Sequence, residues 1–242
     1  MQALMLSHPY GTTLTVPAFM PATQARNYSG KQDGGPQVFW SPVPYDTPLP
    51  TDTPLAVVFW DPAHAEDVNH VCNRVPVKTL IIVVAPHGQA ALLRSTNLPV
   101  TVLTWNADVR VLLQRLFAAL LVPGLHEGAI GMDVADLLYA LEQGGTGHLL
   151  EVRGHTFTQV AQSLLRQVRR RLKHRAFAGL VLHIAAPVGS VRFPPMMDGL
   201  LRRLHRLTSE GNVIVALTVS VCSTISMHAL MLIPDEINEI PT

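Results

Sequence analysis

The sequence lacks the residue sets that define several large classes of protein. Of its 242 residues only two, Cys72 and Cys222, are cysteines, too few for a disulfide framework or a cysteine-based metal site. A reducing compartment, the cytoplasm, is therefore expected. The start of the chain has no basic region followed by an apolar run and a small-residue cleavage site, so we expect no signal peptide.

Common catalytic and cofactor-binding signatures are also missing. The chain has no G-x-S-x-G, no phosphate-binding P-loop and no dinucleotide fingerprint. Its eleven histidines include His64, His70, His205 and His228, but none has metal-ligand spacing with cysteine or acidic support. We therefore predict no enzymatic activity, no cofactor and no metal.

Charge is scarce as well. Charged residues make up 14% of the chain and apolar residues 48%, which indicates broad sheets covered on both faces or a buried partner surface. Residues 213–233 contain no Asp, Glu, Lys or Arg, a length that could span a bilayer. Ser223, Thr224 and His228 interrupt this stretch, so we predict two strands, 213–219 and 227–233, paired as an antiparallel hairpin, and no membrane span.

The strongest periodicity predicts a long central helix at residues 106–124. Its apolar residues recur at i, i+3, i+4 and i+7, the spacing of one buried helical face: Val109, Leu112, Leu113, Leu116, Phe117, Leu120 and Leu121. Pro123 and Gly124 are expected to end it. A loop should follow, then a second helix with Asp133 as its N-cap and Asp136 in its first turn, so that both carboxylates lie near the positive end of the helix dipole.

The remaining segments predict an α/β protein. Apolar runs at 55–60, 79–85 and 100–104, with a helix from Asp61 to Arg74, are typical of a parallel sheet covered on both faces. Before them, we predict strands at 4–14 and 38–40 and an extended connector through the prolines of 42–54. After Gly144-Gly145-Thr146-Gly147, interpreted as a helix stop and turn, Thr156 opens a helix. A strand at 180–185 and a helix from Pro194 or Pro195, ended by Gly211, complete the order.

Residues Val122-Pro123-Gly124-Leu125 and Gly131-Met132-Asp133-Val134-Ala135-Asp136 resemble the R-P-G-L-I-N-V-D-F-A-D loop of FtsZ, the bacterial tubulin homologue. Ala178 to Ile184 is similarly placed to that family's A-[RK]-G-V-L-[IV]-N-I strand. The resemblance covers about residues 55–233. It implies a reduced tubulin/FtsZ-like α/β fold with a truncated, parallel-sheet nucleotide-domain-like region (1–105), the central helix (106–124), a smaller α+β second domain (125–233) and a tail (234–242).

The family's phosphate-binding G-G-G-T-G-[ST]-G is absent. Its place after the first apolar strand is taken by Asp61-Pro62-Ala63-His64-Ala65-Glu66, where proline removes an amide donor and acids would repel a triphosphate. We therefore expect no GTP pocket and no GTPase activity. The resemblance instead implies a non-catalytic assembly or regulatory protein in bacterial cell division or filament regulation.

In that family the loop matching Asp133 and Asp136 docks onto the next subunit. The resemblance thus implies an interaction loop formed by Gly131, Met132, Asp133 and Asp136, with a second copy or an FtsZ/tubulin-like protein as partner. The alternative from composition is that Asp133 only caps its helix and Asp136 is a solvated acid of the first turn.

A second candidate surface is basic. Residues 151–210 contain eleven Lys or Arg and three Asp or Glu in a chain of net charge +1. The predicted patch centres on helix 166–175 and consists of Arg166, Arg169, Arg170, Arg171, Lys173, Arg175, Arg202, Arg203 and Arg206. A solvated helix end is one interpretation; the other is an accessory protein that binds nucleic acid or an acidic protein segment through this patch.

Overall fold

The computed structural model describes residues 14–20, 30–31, 38–48, 53, 55–74, 79–86, 101–105, 108–125, 128–141, 145–173, 175–188, 190, 195–219 and 222–234. Within these residues one mixed sheet is formed by eleven strands: β1 (Leu14–Met20), β2 (Gly30–Lys31), β3 (Val38–Pro44), β4 (Leu55–Phe59), β5 (Leu80–Pro86), β6 (Thr101–Trp105), β7 (Gly128–Ile130), β8 (Gly145–Gly154), β9 (Phe177–Ala186), β10 (Thr208–Val219) and β11 (Ile225–Ile233).

The strand order across the sheet is β2-β3-β1-β4-β5-β6-β8-β11-β9-β10-β7. Strands β3, β1, β4, β5, β6 and β8 are parallel neighbours. Strand β11 is antiparallel to both β8 and β9, and β9 is parallel to β10. The α/β class with a parallel first part is therefore confirmed, and the sheet runs without interruption past the domain boundary predicted at residue 125.

Helices cover both faces of this sheet. They are α1 (Ala65–Arg74), α2 (Val109–Leu120), α3 (Val122–Leu125), α4 (Val134–Leu141), α5 (Phe157–Leu172) and α6 (Pro195–His205), with a 3-10 turn at Pro62–His64 before α1. Helices α2 and α4 pack on one face, and α1, α5 and α6 pack on the other. The apolar strands are buried because each face has its own helical layer.

The central helix is shorter than predicted. Helix α2 begins after Asp108, whose Oδ1 accepts the Arg110 amide at 2.8 Å, and it ends at Leu120. Pro123 and Gly124 do not end it; they belong to the separate short helix α3. Proline is tolerated there because the first turn of a helix needs no amide from it.

The predicted hairpin of the last two strands is wrong. Strand β9 lies between β10 and β11 and pairs with both. Helix α6 ends at His205, so Gly211 does not stop it and instead lies within β10. The supposed turn at Gly144–Gly147 is also a strand from Gly145 onward, since β8 begins there.

In the N-terminal part, Pro42 and Pro44 lie in β3 rather than in a connector, and the predicted strand at Val38–Trp40 is confirmed as the start of β3. Most of the strand pair predicted at 4–14 lies outside the described residues.

Candidate interaction surfaces

The predicted interaction loop lies at one edge of the described sheet. Residues 131–133 connect the outermost strand β7 to α4. Gly131 and Asp133 are exposed and Asp136 is half-buried. Met132, by contrast, is only 6% exposed and belongs to the hydrophobic cluster under α2. Its side chain thus anchors the loop to the core and does not form part of the outer surface.

Asp133 and Asp136 cap α4 reciprocally. The Asp136 amide donates to Asp133 Oδ1 at 2.9 Å, and the Asp133 amide donates to Asp136 Oδ2 at 3.0 Å. This is the capping-box arrangement with Asp at both positions. A carboxylate has about four acceptor sites, so capping occupies only part of each group. The predicted cap is therefore present, and the two acids are held rigidly side by side.

Two exposed apolar residues near this edge of the sheet were not predicted. Tyr139 lies one turn after Asp136 on α4 and is 56% exposed, and Asn212 donates its side-chain amide to the Tyr139 carbonyl at 2.9 Å. Val219, 55% exposed, follows Thr218, the partner of Gly128 in β7. Exposed aromatic side chains are enriched at protein interfaces. The i, i+3 spacing of Asp136 and Tyr139 could have indicated this shared face from the sequence.

Side chains of the protein lie at the carboxyl end of β4. Asp61 Oδ1 accepts the Ala63 amide at 3.0 Å, and Oδ2 lies 3.3 Å from His64 Nδ1. The Tyr45 hydroxyl, buried at this edge, donates to the Phe59 carbonyl, and burial raises the pKa of that phenol. The Ala63 amide is thus bonded to a carboxylate.

All nine residues of the predicted basic patch are exposed. Helix α5 connects β8 to β9, and α6 connects β9 to β10. These three strands point in one direction, because β8 and β9 are both antiparallel to β11 and β10 is parallel to β9. The two helices therefore run side by side with their C-terminal ends at the same edge, which gathers Arg169–Arg175 and Arg202–Arg206 there. A shallow concavity of about 300 Å³ on α5 is lined by Ser163, Arg166, Gln167, Arg170 and Arg171.

Beneath this end of α5 lies His148 of β8. Burial and the positive charges of Arg171 and Arg175 lower its pKa to about 4. His148 is therefore neutral at physiological pH.

A polar row under α2 was missed by sequence reasoning. Glu151, His228 and His183 are directly paired across β8, β11 and β9. His183 Nδ1 donates to the Ala118 carbonyl at 2.7 Å, so its Nε2, 2.8 Å from Thr218 Oγ1, accepts from that hydroxyl.

Glu151, the acidic residue of this row, also forms an ion pair with α2. Glu151 pairs with Arg115 of α2 at 3.0 Å and with Arg153 at 2.8 Å. Burial lowers the pKa of His228, although Glu151 opposes that shift. The row joins the central helix to the sheet through polar contacts, and only the strand register brings its members together.

Within the described ranges, no group of three His, Cys, Asp or Glu side chains is placed to hold a metal ion. No helix in the same part of the chain is both long and apolar enough to cross a membrane. Cys72 is buried, which raises its thiol pKa to about 11, whereas Cys222 is exposed.

Comparisons with known proteins find similarity in structure only. CetZ2 from Haloferax volcanii, in a GTPgS-bound protofilament, matches with a TM-score of 0.52 and 11% identity, covering 75% of this chain and 65% of that one. CetZ1 from the same organism, a GDP-bound monomer, matches with a TM-score of 0.51 and 11% identity, covering 76% and 65%. An FtsZ dimer from M. jannaschii matches at 0.44 and 12%, covering 73% and 53%.

No protein-family model and no curated protein sequence matches the chain. The chain spans less than two thirds of the length of these structures, 65% of each CetZ chain and 53% of the FtsZ chain. At such identities the similarity concerns the fold alone. The FtsZ/tubulin-like fold expected from the residues around Asp133 is confirmed.

Proposed function

We propose that this protein is a non-catalytic assembly or regulatory protein. It acts by self-association or by binding a filament-forming partner such as FtsZ. The contact is made by the Asp133 surface, which we define as Gly131, Asp133, Asp136 and Tyr139. The observation that carries the proposal is the reciprocal capping of Asp133 and Asp136 beside an exposed tyrosine at the sheet edge.

The chemistry of this surface suits a protein partner. Two rigidly held carboxylates give directional acceptors for the partner's donors. Tyr139 adds a large amphipathic contact area at little conformational cost. Met132 fixes the loop from beneath, so a partner would meet a surface that is already formed.

The end of β4 supports a role without nucleotide hydrolysis. Asp61 occupies the Ala63 amide, Pro62 supplies none, and Glu66 and Asp67 place further negative charge in the first turn of α1. Each of these features opposes a bound triphosphate. CetZ2, which shares the fold, is described as a GTPgS-bound protofilament. The proposal assigns to this chain the protofilament type of contact without the bound nucleotide.

A subunit that offers a docking surface but no nucleotide pocket can be joined from one side only. A head-to-tail filament that takes up such a subunit stops growing at that end, because the next heterologous contact is missing. This protein would therefore cap or shorten a filament when it is present in amounts well below those of the filament subunit.

Sedimentation of FtsZ with GTP, with and without this protein, tests the proposal. We expect the protein to pellet with the polymer or to reduce the amount of polymer, and the Tyr139→Ser variant to lose this effect. Val111→Ser, a change at an exposed apolar residue of α2, is the matched control. For self-association, sedimentation velocity of the protein alone should show a concentration-dependent dimer that Tyr139→Ser weakens. Unchanged polymer, no co-pelleting and a monomer at all concentrations would reject the proposal.

A second candidate function is that of a nucleic-acid-binding accessory protein. The observation that favours it is the gathering of the cationic ends of α5 and α6 at one edge. An electrophoretic shift of DNA or RNA that weakens steeply with added salt would support it. The absence of any shift at low salt would exclude it.

A further inference from the structure

An apolar groove of about 170 Å³ lies between α5 and α6. Most of its wall consists of apolar side chains from the two helices, and one glycine adds to it: Phe157, Ala161, Leu165, Met196, Leu200 and Gly199. A closed apolar cavity of about 150 Å³ holds a benzene molecule. The groove therefore has the size and the apolar lining that suit one aromatic side chain.

Gly199 keeps this groove open. It lies in the interior of α6, and no heavy atom lies within 4 Å of the place where its Cβ would stand. Glycine weakens a helix relative to alanine, and no neighbouring atom among the described residues requires a glycine here. The open space beside Gly199 is thus available to a side chain from outside the chain's own core.

Cationic side chains stand at one end of the groove. Arg203 of α6 lines it, and Arg169 lies one turn after Leu165 on the same side of α5. Both arginines are exposed, and within the described residues neither pairs with a carboxylate. Asp198, the acid of α6, is not part of the lining. The groove therefore fits an aromatic side chain that has carboxylates beside it.

The Asp133 surface has this complementary chemistry. Among the residues whose exposure the structure describes, Tyr139 is the one exposed tyrosine, phenylalanine or tryptophan, and it lies one turn after Asp136. Helix α4 packs on one face of the sheet, whereas α5 and α6 pack on the other. A chain therefore cannot place Tyr139 in its own groove, and the contact requires a second copy.

We propose that Tyr139 of one copy inserts into the groove between α5 and α6 of a second copy, with Asp136 beside Arg203 at the end of the groove. This names the partner surface for self-association, and it rests on the proposed function. Pairs of carboxylate and guanidinium groups add directional bonds to the apolar contact. The contact joins two different surfaces, so it can repeat along a row of copies or close a ring.

Sedimentation velocity of the full chain over a range of concentrations tests the groove. Gly199→Leu fills it and should raise the dissociation constant for self-association at least tenfold, whereas Gly199→Ala should have a smaller effect. Thermal unfolding should show both variants to be at least as stable as the unchanged protein, because no atom lies near the added Cβ.

A matched pair of arginine variants tests the charged end of the groove. Arg203→Gln removes the charge that we place beside Asp136 and should raise the dissociation constant severalfold. Arg202→Gln removes the neighbouring charge, which is outside the lining, and should change it little. Equal effects of the two variants would overturn the pairing of Asp136 with Arg203.

Mixing two variants distinguishes this contact from a two-fold one. Tyr139→Ser keeps the groove and Gly199→Leu keeps the tyrosine, so each alone should remain a monomer at concentrations at which the unchanged protein associates. Together they should form a 1:1 dimer with the dissociation constant of the unchanged protein. No larger species should appear, because the dimer has neither a free intact groove nor a free Tyr139.

Self-association of Gly199→Leu equal to that of the unchanged protein, or a mixture that stays monomeric, would overturn the proposal. If Tyr139→Ser alone then abolished association, two Asp133 surfaces would meet each other, and the proposed function would stand without this partner surface. A monomer at all concentrations in the unchanged protein would also overturn it. Sedimentation with FtsZ would then decide the proposed function separately.

Discussion

Gly179 of β9 lies directly against the carbonyl oxygen of Ala140 in α4, so closely that a Cβ on Gly179 would overlap that oxygen. The contact lets the short helix α4 pack tightly on the sheet beside β9 and β10. It therefore fixes the height of the Asp133 surface above the sheet. Glycine is needed here because no other residue leaves room for the backbone of α4.

Gly179→Ala should be strongly destabilising. The added methyl group meets backbone, which cannot move as a side chain can, so we expect a loss of about 2–3 kcal/mol or more in the free energy of unfolding. Gly199→Ala in α6 is the matched control, since nothing lies within 4 Å of its added Cβ. Helix propensity predicts a gain of about 0.5–1 kcal/mol there. Urea denaturation measures the free energy of unfolding of the two variants and tests the expected loss and the expected gain. Equal changes in the two variants would contradict the packing argument.

The reciprocal capping of Asp133 and Asp136 predicts that different substitutions of Asp133 lower the free energy of unfolding by different amounts. Asp133→Ala removes the acceptor for the Asp136 amide and should lower the free energy of unfolding by about 1 kcal/mol. Asp133→Asn keeps a capping oxygen and should cost little, while removing the charge. Thermal unfolding ranks the variants. If the asparagine variant were as unstable as the alanine variant, the charge rather than the hydrogen bond would hold the cap.

Stability should fall as the pH is lowered from about 6.5 towards 4. In the folded protein the pKa of His148 is lowered to about 4, and that of His228 is also lowered, from an ordinary value of 6.5. The unfolded chain therefore binds protons in this window before the folded chain does, and protonation favours unfolding. Urea midpoints measured across this range provide the test.

His148→Gln removes one of these titrating groups and should make that pH dependence shallower. An identical pH dependence in the unchanged protein and in His148→Gln would exclude His148 as a contributor.

The contributions of His183 and Thr218 to the free energy of unfolding should be coupled. Thr218→Val removes the hydroxyl that donates to His183 Nε2, and we expect a loss of about 1–2 kcal/mol. His183→Leu also loses the bond to Ala118 and should cost more. A double-mutant cycle isolates the shared bond. Strict additivity of the two losses would show that the hydroxyl and the imidazole do not interact.

GTP with Mg²⁺ should not stabilise the protein. A ligand that binds the folded state alone at a hundred times its Kd raises stability by about 2.7 kcal/mol, which thermal unfolding detects readily. We expect no change in Tm at millimolar GTP, because Pro62 supplies no amide and the Ala63 amide is bonded to Asp61. A clear rise in Tm would show that a nucleotide site exists elsewhere.

Local features were predictable from the sequence because they depend on near neighbours. The Asp133 cap, the Thr156 cap and the inner face of α5 follow from spacing, and all three are present. The start of β8 was not predictable in the same way. Gly145 and Gly147 have the composition of a turn, whereas in the fold Gly147 is needed where Leu103 and Thr101 approach it from β6.

Strand order was the harder problem. The sequence places β10 next to β11, and short connections favour hairpins, yet β9 is inserted between them. The polar row depends on the same insertion, since His183 meets His228 only when β9 and β11 are neighbours. Residues 45 positions apart in the chain carry no local pattern that indicates their contact.

The hydrogen bonds that join β6 to β8, with Thr101 opposite Gly145 and Leu103 opposite Gly147, make one continuous sheet of the two halves of the fold. Such a connection leaves no hinge between them. A displacement at the edge that carries Asp133 would therefore be transmitted through the sheet to β4 and β5. The parts of the fold on either side of the β6–β8 pairing should unfold together in a single cooperative transition.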